Sequence, residues 1–386
     1  MLLRSTSCPK LPRGAVAAVL LFFARHSRAA EGHADYKYEV YAEDANRTTV
    51  RTHSAFAEAK LTSWLDVQGQ FVYDAISGAT PTGGLPPKGS NKVPLAELDD
   101  IRRAVQFAPG LTLGPHTFRP QIAYSTESDY ESVTPSLTWT LDLNKKNTTL
   151  TAGVAHSYDR LTHGIYLGPE AQDKDSTDVL LGAAQVLSRT TLLNVSLSLG
   201  SAYGYLSDPY KGFQFTEYPD RNSLFPEKRP HHRARQIFSA TLNQSVEPVD
   251  GAAEMTYRFY HDSFGIFSHT VSLEWFQNVG KYVIIAPLFR YYEQTEADFY
   301  RRSFAADPSD SENPHNALIP QFYSADYRLS ALRTLTYGVG LTVKPCKWLY
   351  LDAAYKRYAM AGLDGDTPAS SYAQANVCTV GLRLFF

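Results

Sequence analysis

Apolar and polar side chains alternate with a two-residue period along nearly the whole chain, which leaves little room for anything but β-strands. In residues 133–143 the odd positions read Val, Pro, Leu, Trp, Leu, Leu and the even ones Thr, Ser, Thr, Thr, Asp. Residues 193–205 and 65–74 repeat the pattern, with Leu65, Val67, Phe71 and Tyr73 set against Asp66, Gln68, Gln70 and Asp74. A period of two places successive side chains on opposite faces of a strand. A half-buried soluble sheet would alternate in the same way, so the period alone does not choose the environment.

The spacing of connections does. Residues 144–147, 188–191, 247–251, 278–281 and 344–347 read as tight polar turns, whereas 75–99, 161–176, 206–233, 300–321 and 361–371 read as long loops. Short turns at one rim and longer loops at the other is the layout of a bacterial outer-membrane barrel. Two connections on the long-loop side, near Asp129 and Phe264, are short as well. The expected fold is therefore all-β: a transmembrane antiparallel β-barrel of about sixteen strands, within fourteen to eighteen, over residues 34–386. The strands are expected near 35–43, 49–60, 64–74, 100–108, 116–128, 132–143, 148–159, 177–188, 191–205, 234–246, 252–262, 268–277, 281–298, 322–343, 347–359 and 372–386. Within 322–343 nearly unbroken phase argues for one long strand.

Both ends of the chain fit export. Arg4, Lys10 and Arg13 precede an eleven-residue apolar run at 14–24 and then small residues, which is the order of a secretory signal peptide, expected over residues 1–29. The run is well short of the ~20 residues a membrane helix needs. At the other end Cys378, Val380, Leu382, Leu384 and Phe386 share one face. A last strand ending on an aromatic resembles the signal read by the barrel-assembly machinery, so Phe386 is the candidate assembly residue and Phe385, on the opposite face, is not. The aromatic share is 13%, with 25 Tyr and 20 Phe, and mean hydropathy is only −0.29. Both suit a barrel with interfacial aromatic girdles, in which every second residue meets lipid.

The net charge of −2 points to no nucleic-acid partner; outer-membrane lipids and the assembly machinery are the expected partners, with a periplasmic or surface protein as a further reading. Cys346 and Cys378 lie too far apart along the final hairpin for a disulfide. Charges on the inner phase, expected to line the lumen, are Asp66, Asp74, Arg258, Asp262, Glu274, Arg290, Asp326, Arg328, Asp352, Lys356 and Arg383. They form either a charge-lined conduit or a brace of ion pairs, and their mixed sign argues against strong ion selectivity. The stretch after Asp74 is expected to leave its strand as an ordered Gly/Pro-rich loop, with Ser77, Gly78, Thr80 and Pro81 as the constriction or lid. The bases between Lys211 and Arg235 read as a rim loop, either solvated or facing lipopolysaccharide phosphates. No catalytic, cofactor or metal site is expected: His156 and Ser157 point to opposite faces, and no Gly-x-Ser-x-Gly or His-Glu-x-x-His run occurs. A porin-like passage for small polar solutes, placed in the outer membrane of a diderm bacterium, is the expected function; a scaffold barrel is the rival and an enzyme the weaker third.

The run Asp-Ala-Ile-Ser-Gly-Ala-Thr-Pro from Asp74 resembles the distinctive motif of a family of bacterial outer-membrane proteins held as a domain of unknown function. Residues 124–130, 144–149 leading into 155–159, and 323–330 look like the same family. The resemblance implies a barrel in the outer membrane and supplies no reaction or ligand.

Overall fold

The computed structural model describes residues 31–215, 224–303 and 320–386; the expected signal peptide at 1–29 lies outside the described residues. Strands β1 (Glu31–Glu43), β2 (Thr49–Lys60), β3 (Leu65–Pro81), β4 (Leu95–Leu113), β5 (His116–Thr126), β6 (Tyr130–Leu143), β7 (Thr148–Leu161), β8 (Gln172–Ser188) and β9 (Thr191–Gly204) make the first part of the wall. After a small hairpin, β10 (Gly212–Gln214) and β11 (Leu224–Pro226), the wall continues with β12 (His232–Val246), β13 (Gly251–Asp262), β14 (Phe267–Val279) and β15 (Val283–Gln294). It ends with β16 (Leu332–Cys346), β17 (Leu349–Gly362) and β18 (Gln374–Phe385). All wall pairings are antiparallel between neighbours, and β1 pairs with both β2 and β18, so the described strands close into a barrel of sixteen. Closure leaves no unpaired edge.

The alternation seen in the sequence becomes the two faces of this wall. Phe71, Val105, Ile122, Leu197, Phe238, Leu273, Val339 and Val380 are all exposed on the outer phase. The opposite phase carries Ser, Thr, Gln, Asp and Arg. An apolar band of this extent around a closed barrel is the surface of a transmembrane barrel, and nothing else in the fold would stabilise it against water.

Connections sort by end. Turns at 61–64, 114–115, 144–147, 189–190, 247–250, 280–282 and 347–348 occupy the end that holds Glu31 and Phe385. The long connections 82–94, 162–171, 205–231, 295–331 and 363–373 occupy the other, with 44–48, 127–129 and 263–266 the short ones there.

Three expectations are corrected. Ser77, Gly78, Thr80 and Pro81 belong to β3, where they pair with Asp99, Leu98, Ala96 and Leu95 of β4, so the loop shrinks to 82–94. Polar residues extend a strand at no cost above the apolar band, where both faces meet water, and composition therefore gave no sign of the longer hairpin. Gly78 sits at φ 119°, and a side chain there would strike the Arg47 carbonyl on the neighbouring turn.

Second, residues 322–331 are not part of β16, which starts at Leu332. Their side chains alternate in sequence as those of strands do, yet only the first part is extended, Tyr327–Leu329 turn as a short 3-10 helix, and the partners are other loops: Tyr323 bridges Lys228 and Ser324 bridges Tyr300. Alternation is what a two-faced strand requires, but it neither guarantees an extended backbone nor names the neighbour. Third, the bases of the 205–231 loop do not simply meet solvent at the rim, since Lys211 is buried and Arg229 turns inward onto carboxylates. Cys346 and Cys378 are free, and Cys378 stands opposite Tyr355 while Cys346 stands opposite Leu349, about 20 Å away along the strand at ~3.3 Å per residue.

Candidate functional site

The lumen wall is braced by charge pairs set on the inner phase of adjoining strands. Arg383 donates to Asp35 at 2.7 and 2.6 Å, and the two residues stand in register. Asp74 accepts from Thr52 at 2.6 Å and pairs with Arg102 at 3.1 Å, again in register. Lys174 reaches Asp159 at 3.0 Å, Arg235 reaches Asp178 at 3.1 Å, and Asp262 binds Arg233. A lone ion at this depth would be costly, and a cross-strand partner removes most of that cost.

One pair repairs a gap in the sheet. The ladder between β4 and β5 is interrupted from 108 to 110, where Pro109 and, opposite, Pro120 lack N–H groups. There Arg119 donates to the Ala108 carbonyl at 3.2 Å while bridging Asp66 at 2.6 Å.

At the long-loop end the mouth is crossed by a lid. Lys211, on the connection after β9, donates to Thr80 Oγ1 at 3.0 Å and to the Pro81 carbonyl at the top of β3. Gly212 N–H donates to the Thr82 carbonyl at 2.9 Å, and Gln214 Oε1 accepts from Leu85 N–H at 2.7 Å. Arg302, on the connection after β15, donates to the Gly83 and Gly84 carbonyls at 2.7 and 2.6 Å. Gly83, at φ 96°, lies so close to the Gly212 carbonyl that no side chain would fit. These contacts join strands that stand far apart in the ring, so the loops span the opening rather than fringe it.

The lid has its own small core. Phe213, Phe215 and Ala325 are buried together, with Phe225 and Tyr323 packed against them; Phe264, Ile266, Ala297, Tyr300 and Leu329 make a second cluster. Between them lies an ionic knot. Asp326, 1% exposed, takes Arg229 at 2.8 Å and Arg328 at 2.5 Å. Arg229 also meets Glu227 at 2.7 Å, Glu227 accepts from Ser324, and Arg328 extends to Asp208. Burial works to raise the Asp326 carboxyl, but Arg328 and Arg229 outweigh it and hold the group well below the ordinary carboxylate range. Lys211 is pushed down to about 8, first by burial and then by the charge of Arg328.

Beneath the lid is a cavity of about 650 Å³. Its wall presents Arg258, Tyr260, Ser268, Tyr292 and Gln294 on one side and Glu127, Asp129 and Tyr130 on another, with Arg328 and Asp326 from the lid. Glu127 has its carboxyl raised by burial and by the nearby charges of Asp100 and Asp129.

The residues singled out in the sequence scatter between wall and lid. Asp66, Asp74 and Arg383 brace the wall, and Asp352 accepts from Thr342 at 2.6 Å. Glu274 stands opposite Glu254, Lys356 opposite Gly338, Arg258 opposite Thr270 and Arg290 opposite Ser272. Asp326 and Arg328 lie in the lid instead of a wall strand. Thr80 and Pro81 do touch the lid, but from a strand end, and the loops after β9 and β15 supply the covering that was assigned to the loop after β3. Lys211, Glu227 and Arg229 fall in the charged stretch read as a rim loop, so their place in the lid was not foreseen, and Arg302 was missed. The available signal was Phe213-Gln214-Phe215, an aromatic alternation inside a stretch otherwise read as a polar loop.

A family model described as "Protein of unknown function (DUF3570)" matches residues 11–164 and 160–364. No curated protein matches the chain. Among solved structures the chain is similar to CdiB from Acinetobacter baumannii, at 8% identity and a TM-score of 0.52, over 92% of this chain and 60% of that one. It is also similar to the siderophore receptor PirA from Pseudomonas aeruginosa (10% identity, TM-score 0.42, 91% of this chain and 60% of that one). A third match is OmpT from Vibrio cholerae, an outer membrane protein, in its in-vitro folded trimer form (10% identity, TM-score 0.45, 93% and 99%). The chain thus spans about 60% of the length of PirA and of CdiB. At these identities the likeness concerns the barrel fold alone.

Proposed function

The chain belongs to this family of unknown function, and from that premise we propose that it is a porin-like channel of the outer membrane, passing small polar solutes by diffusion. The observation that carries the reading is the size and lining of the barrel: sixteen strands are enough to leave an aqueous channel, whereas about eight are filled by side chains. The apolar band meets lipid, the short-turn end faces the periplasm, and the lidded end faces outward, in keeping with the usual layout. Nothing in the proposed mechanism needs a cofactor or an energy source; the chain needs lipid around it and the assembly machinery to insert it. The lid supports restricted rather than free passage, since solutes entering from outside have to pass its edges.

The lid also favours the rival reading, a sealed barrel that serves as a scaffold for a periplasmic or surface partner. Planar-bilayer recording of purified protein separates the two. Gly204 N–H already donates to the His231 carbonyl at 2.9 Å, so residues 206–229 can be replaced by a short Gly/Ser turn without opening the wall. The channel reading expects a small conductance in the native protein and a larger one in the lidless form. Silence in both would sink it and promote the scaffold.

A further inference from the structure

The paired charges of the lumen make one stretch of wall stand out. On β13 to β15 the guanidinium groups of Arg258 and Arg290 form no salt bridge among the described residues, although Arg102, Arg119, Arg235 and Arg383, also on the inner phase, do. The register explains the difference. Arg383 and Arg102 have an aspartate directly opposite. Arg258 instead has Ser239 on one side and Thr270 on the other, and Arg290 has Ser272 and Thr336. Both arginines are thus framed by hydroxyl side chains on both neighbouring strands, with Tyr292 in the same row as Thr270.

Arg258 opens into the 650 Å³ cavity beside Tyr292, Ser268 and Gln294, and Arg290 stands one inward-facing position further along β15 from Tyr292, exposed within the lumen. The two backbones are separated by about 10 Å across the sheet and about 7 Å along it, so two extended arginines can converge on one group. Four residues further along β13 the sign reverses, where Glu254 and Glu274 face each other, about 13 Å from Arg258. Along β13 itself the sign therefore changes with depth, while the cavity's acids, Glu127, Asp129 and Asp326, stand on its other walls and in the lid.

We propose that Arg258 and Arg290 form a binding site for the oxyanion group of a small solute, a carboxylate or a phosphate, held under the lid before it passes down the lumen. Unpaired guanidinium forks next to hydroxyl donors match an oxyanion in geometry and charge. The glutamate pair deeper in the lumen keeps the anion at the arginine level. This inference deepens the channel reading and rests on it for its purpose, but the site itself binds whether or not the barrel conducts.

The test is therefore a binding measurement. Purified protein in detergent micelles is titrated calorimetrically with inorganic phosphate and, separately, with succinate at low salt. Native protein is expected to bind at least one of them, and which one names the oxyanion class. The double variant Arg258→Gln, Arg290→Gln, run in its heat-modifiable folded form, is expected to bind at least tenfold more weakly; should it fail to fold, Arg290→Gln alone, at an exposed lumen position, makes the same test. No binding of either anion by native protein, or equal binding by the variant, overturns the site. Binding without conductance would overturn the channel and leave the site standing; conductance without binding would do the reverse.

Discussion

Lys211 and Thr80 meet across the mouth of the barrel: the Lys211 ammonium donates to Thr80 Oγ1 at 3.0 Å, although β3 and β9 stand six places apart in the ring. The contact makes the lid a span anchored at both sides, and its behaviour under titration and mutation follows from how its charges are held.

The Lys211 amine is pushed down to about 8 by burial, with Arg328 adding repulsion. Its value in an unfolded chain is ~10.4. Between roughly pH 8 and 10 the unfolded chain then binds more protons than the folded one, so stability rises with pH across that window and is flat below it. Native protein is expected to gain melting temperature relative to Lys211→Met between pH 7.5 and 9.5. Parallel curves for the two proteins would contradict this.

Asp326→Ala removes the carboxylate shared by Arg229 and Arg328. Breaking a buried pair from one side costs on the order of 3 kcal/mol, and the cost falls on the lid, because the wall is held by its own ladders. The expected result is faster proteolysis of the loop after β9 with unchanged heat-modifiability of the barrel. Loss of the folded band on gels would show instead that lid and wall fold as one unit.

A methyl group at Gly110 would fall on the Asp66 carboxylate and the Arg119 guanidinium. Gly110→Ala is expected to break that pair and leave the fully buried Ala108 without its Arg119 bond, at about 1–3 kcal/mol. Adding Asp66→Asn should then cost little more, since both changes strike one interaction. Additive losses in urea unfolding would refute the coupling.

Phe386 closes the seam between the chain ends, where Phe386 N–H donates to the Gly32 carbonyl at 3.1 Å and Gly32 N–H returns 3.0 Å to Phe386. Phe385 packs instead against Tyr350, with ring centroids 5.0 Å apart. Phe386→Asp is expected to deplete folded outer-membrane protein severalfold more than Phe385→Asp. Equal depletion in membrane fractions would show that the outward phase of the last strand does not carry the assembly signal.

Strands, their number and the facing of their side chains were legible because each depends on residues two apart in the chain. Leu65, Val67 and Phe71 against Asp66, Gln68 and Gln70 state both faces of β3 without reference to anything distant. The short turns marked the barrel's near rim for the same reason. The signal weakened wherever water reaches both faces: the hairpin above Asp74 lost its alternation of environment, and β3 and β4 were read short by several residues. In 322–331 the period persisted but belonged to the lid.

What the chain determined by itself is the wall, since alternation, turn chemistry and the exclusion of charge from lipid are local or single-residue constraints. What only the tertiary structure decided is how the charges are spent and where the loops go. Whether Arg102 stands opposite Asp74 while Arg258 stands opposite Ser239 and Thr270 depends on register between strands, and register is a relation between segments that neither contains. The lid depends on more distant relations still: Lys211 with Thr80, Arg302 with Gly83 and Arg229 with Asp326 join residues from 97 to 219 positions apart. Such pairs become neighbours only when closure of the ring brings its far sides within reach of a loop.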